Sequence, residues 1–233
     1  SLRKILFEER KKRVHPYKDD KILTDWNGLM IAALAKASRV LDNAKYSDAA
    51  EKSVKFIFSK LVDATGNLLH RFRDGEAAIP AQIDDYSFLI WGLLELYETT
   101  FKIEYLQKSI ELTDHLISNY WDNENKSGFY FTSEDNSKLI SRPKEFYDGA
   151  IPSGNSVIYS NLLKLNKLTA NNSYLDYADK LGLGFKNFID RAPTGFAQFL
   201  CGLEFSLRES SEIIIVGERE SEKTKEILKI INS

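Results

Sequence analysis

The stretch NGLMIAALAKASRVLDNAKYSDAAEKSVKFIFSKL, Asn27 to Leu61, decides the fold, because the chain contains it three times in altered form. Its counterparts are YSFLIWGLLELYETTFKIEYLQKSIELTDHLISNY, Tyr86 to Tyr120, and NSVIYSNLLKLNKLTANNSYLDYADKLGLGFKNFI, Asn155 to Ile189, which superpose on it without gaps at successive steps of 59 and then 69 residues. In that register Leu34, Leu93 and Leu162 coincide, as do Tyr46, Tyr105 and Tyr174. Each copy opens with about 15 nearly all-apolar residues, the pattern of a helix covered on every side. A short polar turn leads to the shared Tyr, and a second segment then keeps its apolar residues on one face: Ala50, Val54, Ile57 and Leu61 in the first copy. Each unit is therefore a hairpin of a buried inner helix and an amphipathic outer one.

Inner helices that touch neighbours left and right, shielded by outer ones, are what a ring of hairpins requires. Straight solenoids repeat in roughly 34 to 47 residues, shorter than the spacing here, so the period predicts an all-α toroid. Turn-forming connectors follow each hairpin: DATGNLLHRF from Asp63, DNENKSGFYFTS from Asp122 and DRAPTGF from Asp190. LLHRF and FYF read as brief strands, which places a few short β-hairpins on one rim. A fourth unit begins near Thr194, followed by SEIIIVG, Ser211 to Gly217, as a strand and SEKTKEILKIIN, Ser221 to Asn232, as a last helix. No Pro-, Gly- or Ser-rich linker divides the 233 residues. The expectation is one domain, 1–233, with units at 25–83, 84–152 and 153–193 and a partial fourth at 194–233.

Thirty-two basic against 34 acidic residues leave no excess of positive charge to hold a phosphate backbone, so no nucleic-acid partner is expected. A single cysteine, Cys201, excludes an intrachain disulfide and suits a reducing compartment. No stretch approaches the ~20 apolar residues of a membrane span, and SLRKILFEERKKR has no signal core. No membrane partner is expected, and the expected location is the cytoplasm. The opening residues read as a helix already under way, which suggests a fragment of a longer chain. Three scattered histidines and one cysteine offer no metal spacing, and the Gly-Leu-Gly at Gly182 lacks the strand and third glycine of a dinucleotide loop. Neither metal nor cofactor is expected.

If the inner helices run the same way round a ring, their N-termini meet at one mouth. Asp25, Trp26 and Asn27 start the first, Asp84, Asp85 and Tyr86 the second, and Asp148 through Asn155 lead into the third. Any one of these acids or amides can be explained as a helix cap. The set cannot: a cap needs one acceptor, whereas Asp19–Asp20 and Asp84–Asp85 are doublets, and Trp26 and Tyr86 have no capping chemistry. Carboxylates, amides and arginines between flat aromatic rings suit a sugar, which has hydroxyls at its edge and C–H groups on its faces.

The expected catalytic residues are Asp20 and Asp85 as the leading carboxyl pair, with Asp84 and His70 as further acid–base groups. Asp19, Trp26, Asn27, Arg71, Tyr86, Arg142, Asp148 and Asn155 are the expected substrate-binding residues. His115 aligns with Phe56 on a packed face and reads as a hydrogen-bonded core residue. The competing reading is a non-catalytic scaffold for a glycan or protein partner.

Three runs carry a family resemblance: HPYKDDKILTDWNGLMIAALAKASRVL, LLHRFRDGEAAIPAQIDDYSFLIWGLLELYE and GFYFTSEDNSKLISRPKEFYDGAIPSGNSV. They resemble the C-terminal half of the YyaL-like family of spermatogenesis-associated proteins with an N-terminal thioredoxin-like domain. The resemblance implies a six-hairpin (α/α)6 barrel similar to N-acylglucosamine 2-epimerases and helical-barrel glycosidases, of which this chain would form roughly half. It also implies a thioredoxin-like domain as a possible partner in the full-length chain. It brings no catalytic assignment, so the residue roles above rest on the helix starts alone.

Overall fold

The computed structural model describes residues 1–134, 141–209, 213–218 and 221–232. Helices α1 (Leu2–Lys11), α2 (Thr24–Val40), α3 (Ala44–Lys60), α4 (Ile83–Thr100), α5 (Ile103–Tyr120), α6 (Gly154–Thr169), α7 (Asn172–Ile189), α8 (Ala197–Leu207) and α9 (Glu222–Asn232) carry most of the chain. The three repeats are the hairpins α2–α3, α4–α5 and α6–α7. Inner helices pack side by side in the order α2, α4, α6, α8, with α3, α5 and α7 each against its own inner partner. This is the expected run of helical hairpins.

The repeat extends to backbone conformation. Asp42, Phe101 and Ala170 occupy the same position of the three units, and all adopt the left-handed region, with φ of 49°, 51° and 55°. Each ends an inner helix and swings the chain into the outer one, a place where glycine is the usual choice. The connectors after the outer helices are equivalent too. Asp63 accepts from the amides of Thr65 and Asn67, and Asp122 from those of Glu124 and Asn125. Isolated bridges Val62–Leu68 and Trp121–Phe129 then close each loop.

Inner-helix burial is uneven. Helix α4 is buried nearly throughout, whereas α2 leaves Trp26 and Met30 exposed and is amphipathic rather than covered on all sides. The α2–α4 crossing is close: a methyl group on Gly28 would lie 2.5 Å from the Phe88 carbonyl carbon, and one on Gly92 2.8 Å from the Gly28 oxygen. At the far end of these helices Glu95 is buried, ion-paired with Arg39 from α2 and, at 2.8 Å, with Lys164 from α6.

The extended segments differ from expectation in extent. β1 (Ile22–Leu23), β2 (Leu69–Arg73) and β3 (Glu76–Pro80) form one antiparallel sheet in the order β1-β2-β3, so LLHRF is paired on both sides. FYF contributes only the Phe129 bridge, and Pro193–Gly195 is a single 3₁₀ turn. Of the expected strand SEIIIVG, Ser211 and Glu212 lie outside the described residues, and Ile213–Val216 are irregular.

Candidate functional site

The inner-helix starts are stitched together by carboxylates that reach sideways rather than capping their own helix alone. Asp85, in the first turn of α4, accepts from the Asp25 amide of α2 at 3.0 Å and from the Gln82 amide at 2.8 Å. Its neighbour Asp84 turns the other way and accepts from the Gly154 amide that opens α6. Asp148 accepts from the Ser153 amide at 2.9 Å and from the Gln198 amide of α8, also at 2.9 Å. Four helix N-termini, each a pole of positive potential, thus share three acids, and the mouth inferred from the repeats is one contiguous region.

At its centre His70, on β2, directs Nδ1 to both oxygens of Asp85, at 2.9 and 3.1 Å. Asp85 is fully buried, while the His70 side chain keeps 21 % of its surface exposed. The hydrogen bond to Asp85 raises the imidazole pKa against the opposing effect of burial, and Asp25 and Asp84, in whatever fraction they are ionised, act in the same direction. β2 is held in place by the Thr24 hydroxyl, which donates to the Leu69 carbonyl at 2.6 Å. Burial pushes Asp84 up to about 7 despite the Gly154 amide, and the charges of Glu145, Asp85 and Asp25 push in the same direction. Asp25 is raised as well, first by burial and then by Asp85. Asp84 therefore exchanges its proton close to neutral pH, and His70, on a different element, does so above its ordinary value.

The remaining expected residues divide by exposure. Trp26 is 60 % exposed, and Asn27 and Arg71 are half-buried. Asn27 donates to the Leu23 carbonyl at 2.7 Å, and Arg71 Nε has no hydrogen-bond partner among the described residues. Tyr86 and Asn155 are sealed in the core instead. Tyr86 accepts from the Leu68 amide, and Asn155 fastens Phe129 and the Glu145 carbonyl. Arg142 donates to the carbonyls of Thr132 and Asn119. These three, like Asp148, hold the mouth together. His115 is half-buried and stacked on Tyr86 at 5.0 Å.

The carboxyl pair expected to lead is not the pair the fold builds: Asp20 lies 3.1 Å from Arg73 and is mostly exposed, and Asp19 pairs with Lys21. Asp25 takes the place beside Asp85. It was legible in principle, since it holds the repeat position of Asp84. Glu145 also joins the site, from the irregular run 141–149; it lies in the third stretch that carries the family resemblance, but nothing in its residue type or spacing gave it a role. Asp25, His70 and Asp85 each place a possible ligand atom within 4.8 Å of the others, a grouping the sequence spacing did not reveal. A divalent cation there would compete with the three N–H donors that Asp85 already accepts.

A row of helical hairpins gathering inner N-termini at one rim is the arrangement of the (α/α)6-barrel fold. Cellobiose 2-epimerase from Spirochaeta thermophila superposes with a TM-score of 0.59 and 19 % identity, over 71 % of this chain and 43 % of that one. A GH76 α-mannanase from Bacteroides thetaiotaomicron gives 0.59 and 17 %, over 75 % and 46 %. By sequence the chain is a relative of spermatogenesis-associated protein 20, as its motifs indicated: the human protein is 30 % identical over 98 % of this chain. An uncharacterized Caenorhabditis elegans protein is 31 % identical over 99 %. The chain spans about a third of the length of these relatives, 30 % and 32 % respectively. No protein-family model matches it. No helix among the described residues is long and apolar enough to cross a membrane.

Proposed function

We propose that this chain forms the acid–base side of a sugar site that moves a proton at the carbon next to a carbonyl, as in epimerisation or isomerisation of a reducing sugar. The observation that carries the proposal is the His70–Asp85 contact beside Asp84. Asp85 holds the imidazole with Nδ1 protonated, leaving Nε2 as the base. Nε2 takes the proton from the C–H next to the carbonyl, the C–H electron pair forms a C=C bond, and the carbonyl oxygen takes the Asp84 proton, leaving an enediol, an imidazolium and the Asp84 carboxylate. The imidazolium then returns a proton to carbon while the enediol O–H gives its proton back to the Asp84 carboxylate, which re-forms the carbonyl and restores both groups. Trp26 and Tyr147 present exposed rings at the α2 and α8 ends of the row of helix starts, where they suit the C–H faces of a pyranose. The fold neighbours named for cellobiose 2-epimerase activity are consistent with this choice.

A second reading is favoured by the proximity of Glu145 to Asp84. A carboxyl that keeps its proton to about pH 7 beside an exposed carboxylate is the acid and base arrangement of a glycosidase. Incubating the full chain in D₂O with a panel of reducing mono- and disaccharides, and following C2–H by NMR, separates the readings. Proton transfer predicts deuterium at C2, reduced at least ~100-fold in His70→Asn. Cleavage without exchange moves the assignment to the glycosidase. Neither exchange nor cleavage, with sugar still bound, leaves a glycan-binding scaffold.

A further inference from the structure

We propose that Asp25 and Asp85 act as one proton-sharing carboxyl pair beneath His70, in which Asp25 keeps the proton, so that Asp85 alone presents charge to the imidazole. Asp25 is thereby a positioning residue, acting on His70 through Asp85, and the inference deepens the reading of His70 as the acid–base group.

The two carboxyls are both buried and are joined through the backbone, since the Asp25 amide donates to Asp85 Oδ1 at 3.0 Å. Their hydrogen-bond environments are unequal. Asp85 accepts from the amides of Asp25 and Gln82 and from His70, while Asp25 accepts from the Trp26 amide at 2.7 Å. N–H donors favour the ionised form of whichever carboxyl receives them, so the charge settles on Asp85. Like charges this close in a buried site disfavour joint ionisation, and the proton is retained longer by the member with fewer donors. Burial and the Asp85 charge both act on Asp25 in that direction. The other titratable groups facing the pair are His70 from β2 and Asp84 from the first turn of α4, with Glu145 beyond Asp84.

The arrangement gives His70 one firm anion instead of two. Two anions would hold the imidazole permanently protonated and useless as a base, and none would leave its tautomer and orientation unset. A single buried charge raises its basicity and fixes Nδ1–H.

The test needs no substrate, so its failure is distinct from failure of the proposed reaction. The chain has three histidines, and their C2–H resonances can be assigned by substitution and titrated by NMR. In Asp25→Asn the His70 midpoint is expected to stay within about 0.3 unit of wild type, because Asn imitates a protonated Asp. In Asp85→Asn it is expected to fall by about 1 unit or more. An equal fall in Asp25→Asn overturns the proposal, since Asp25 would then carry charge. Carboxyl ¹³C titration of the unmodified chain covers the case in which a variant fails to fold. An Asp25 carboxyl that ionises in the ordinary range near ~3.9 overturns the proposal; one that still holds its proton well above that range supports it.

Discussion

His70 Nδ1 lies 2.9 Å from Oδ1 and 3.1 Å from Oδ2 of Asp85, a carboxylate with no solvent exposure, so the imidazole is oriented by a group that no ligand can reach. Folding thereby ties the charge of His70 to stability. Its folded pKa lies above the unfolded value, so the stabilisation is fully present below about 6.5 and is lost as pH rises through the folded value. His70→Gln should therefore lower the melting temperature more at pH 5.5 than at pH 8.5, as scanning calorimetry at the two pH values will read.

Asp84 has the same sign for a different reason. Its folded pKa of about 7 lies far above the carboxylate norm, so the acid is tolerated when protonated and penalised when ionised. Asp84→Asn should raise stability by about 1–2 kcal/mol at pH 5, where the unfolded chain already ionises this acid, and by up to about 4 kcal/mol above pH 7.5, while abolishing turnover. Urea unfolding at both pH values measures the first effect; the deuterium-exchange assay measures the second.

The α2–α4 crossing has no room for a side chain. Gly28→Ala and Gly92→Ala each push backbone against backbone and should cost at least about 2 kcal/mol. A matched control, Ala33→Gly on the exposed face of α2, should cost only the ~1 kcal/mol of helix propensity. Urea midpoints for the three variants decide this.

The ionic cluster at the opposite end of the inner helices is a structural lock. Burial pushes Glu95 upward, but Lys164 and Arg39 outweigh it and hold the group below its ordinary value. Glu95→Ala leaves Arg39 and Lys164 with the half-buried Glu98 alone, at 2.9 and 3.3 Å, and should cost about 2–3 kcal/mol. The double variant Glu95→Leu with Arg39→Met should recover part of that loss, measured by thermal melts.

The hairpin repeat was legible because an inner and an outer helix differ in how many faces they bury, which is written directly into apolar spacing. The left-handed residues Asp42, Phe101 and Ala170 escaped notice, because none is glycine and only their shared repeat position marks them. Site membership was harder to read for a geometric reason. Asp84 and Asp85 are neighbours in sequence but lie about 100° apart round a helix, so one turns to α6 and the other to α2. Nothing in the order Asp-Asp says which is buried. Met30 looks like core in an apolar run, and its exposure, like that of Trp26, follows from which flank of α2 meets α4. Glu145 reaches the site only through the fold of an irregular segment that Asn155 pins by a carbonyl.

The central claim is that the starts of α2, α4 and α6 form one sugar-facing mouth, and ligand titration of the full chain observed at both His70 C2–H and the Trp26 indole tests it most directly. A reducing sugar that binds should shift the two resonances together with one saturation curve, leaving His15 and His115 in place. Binding that moves His115 or His15 while His70 and Trp26 stay still would contradict the claim.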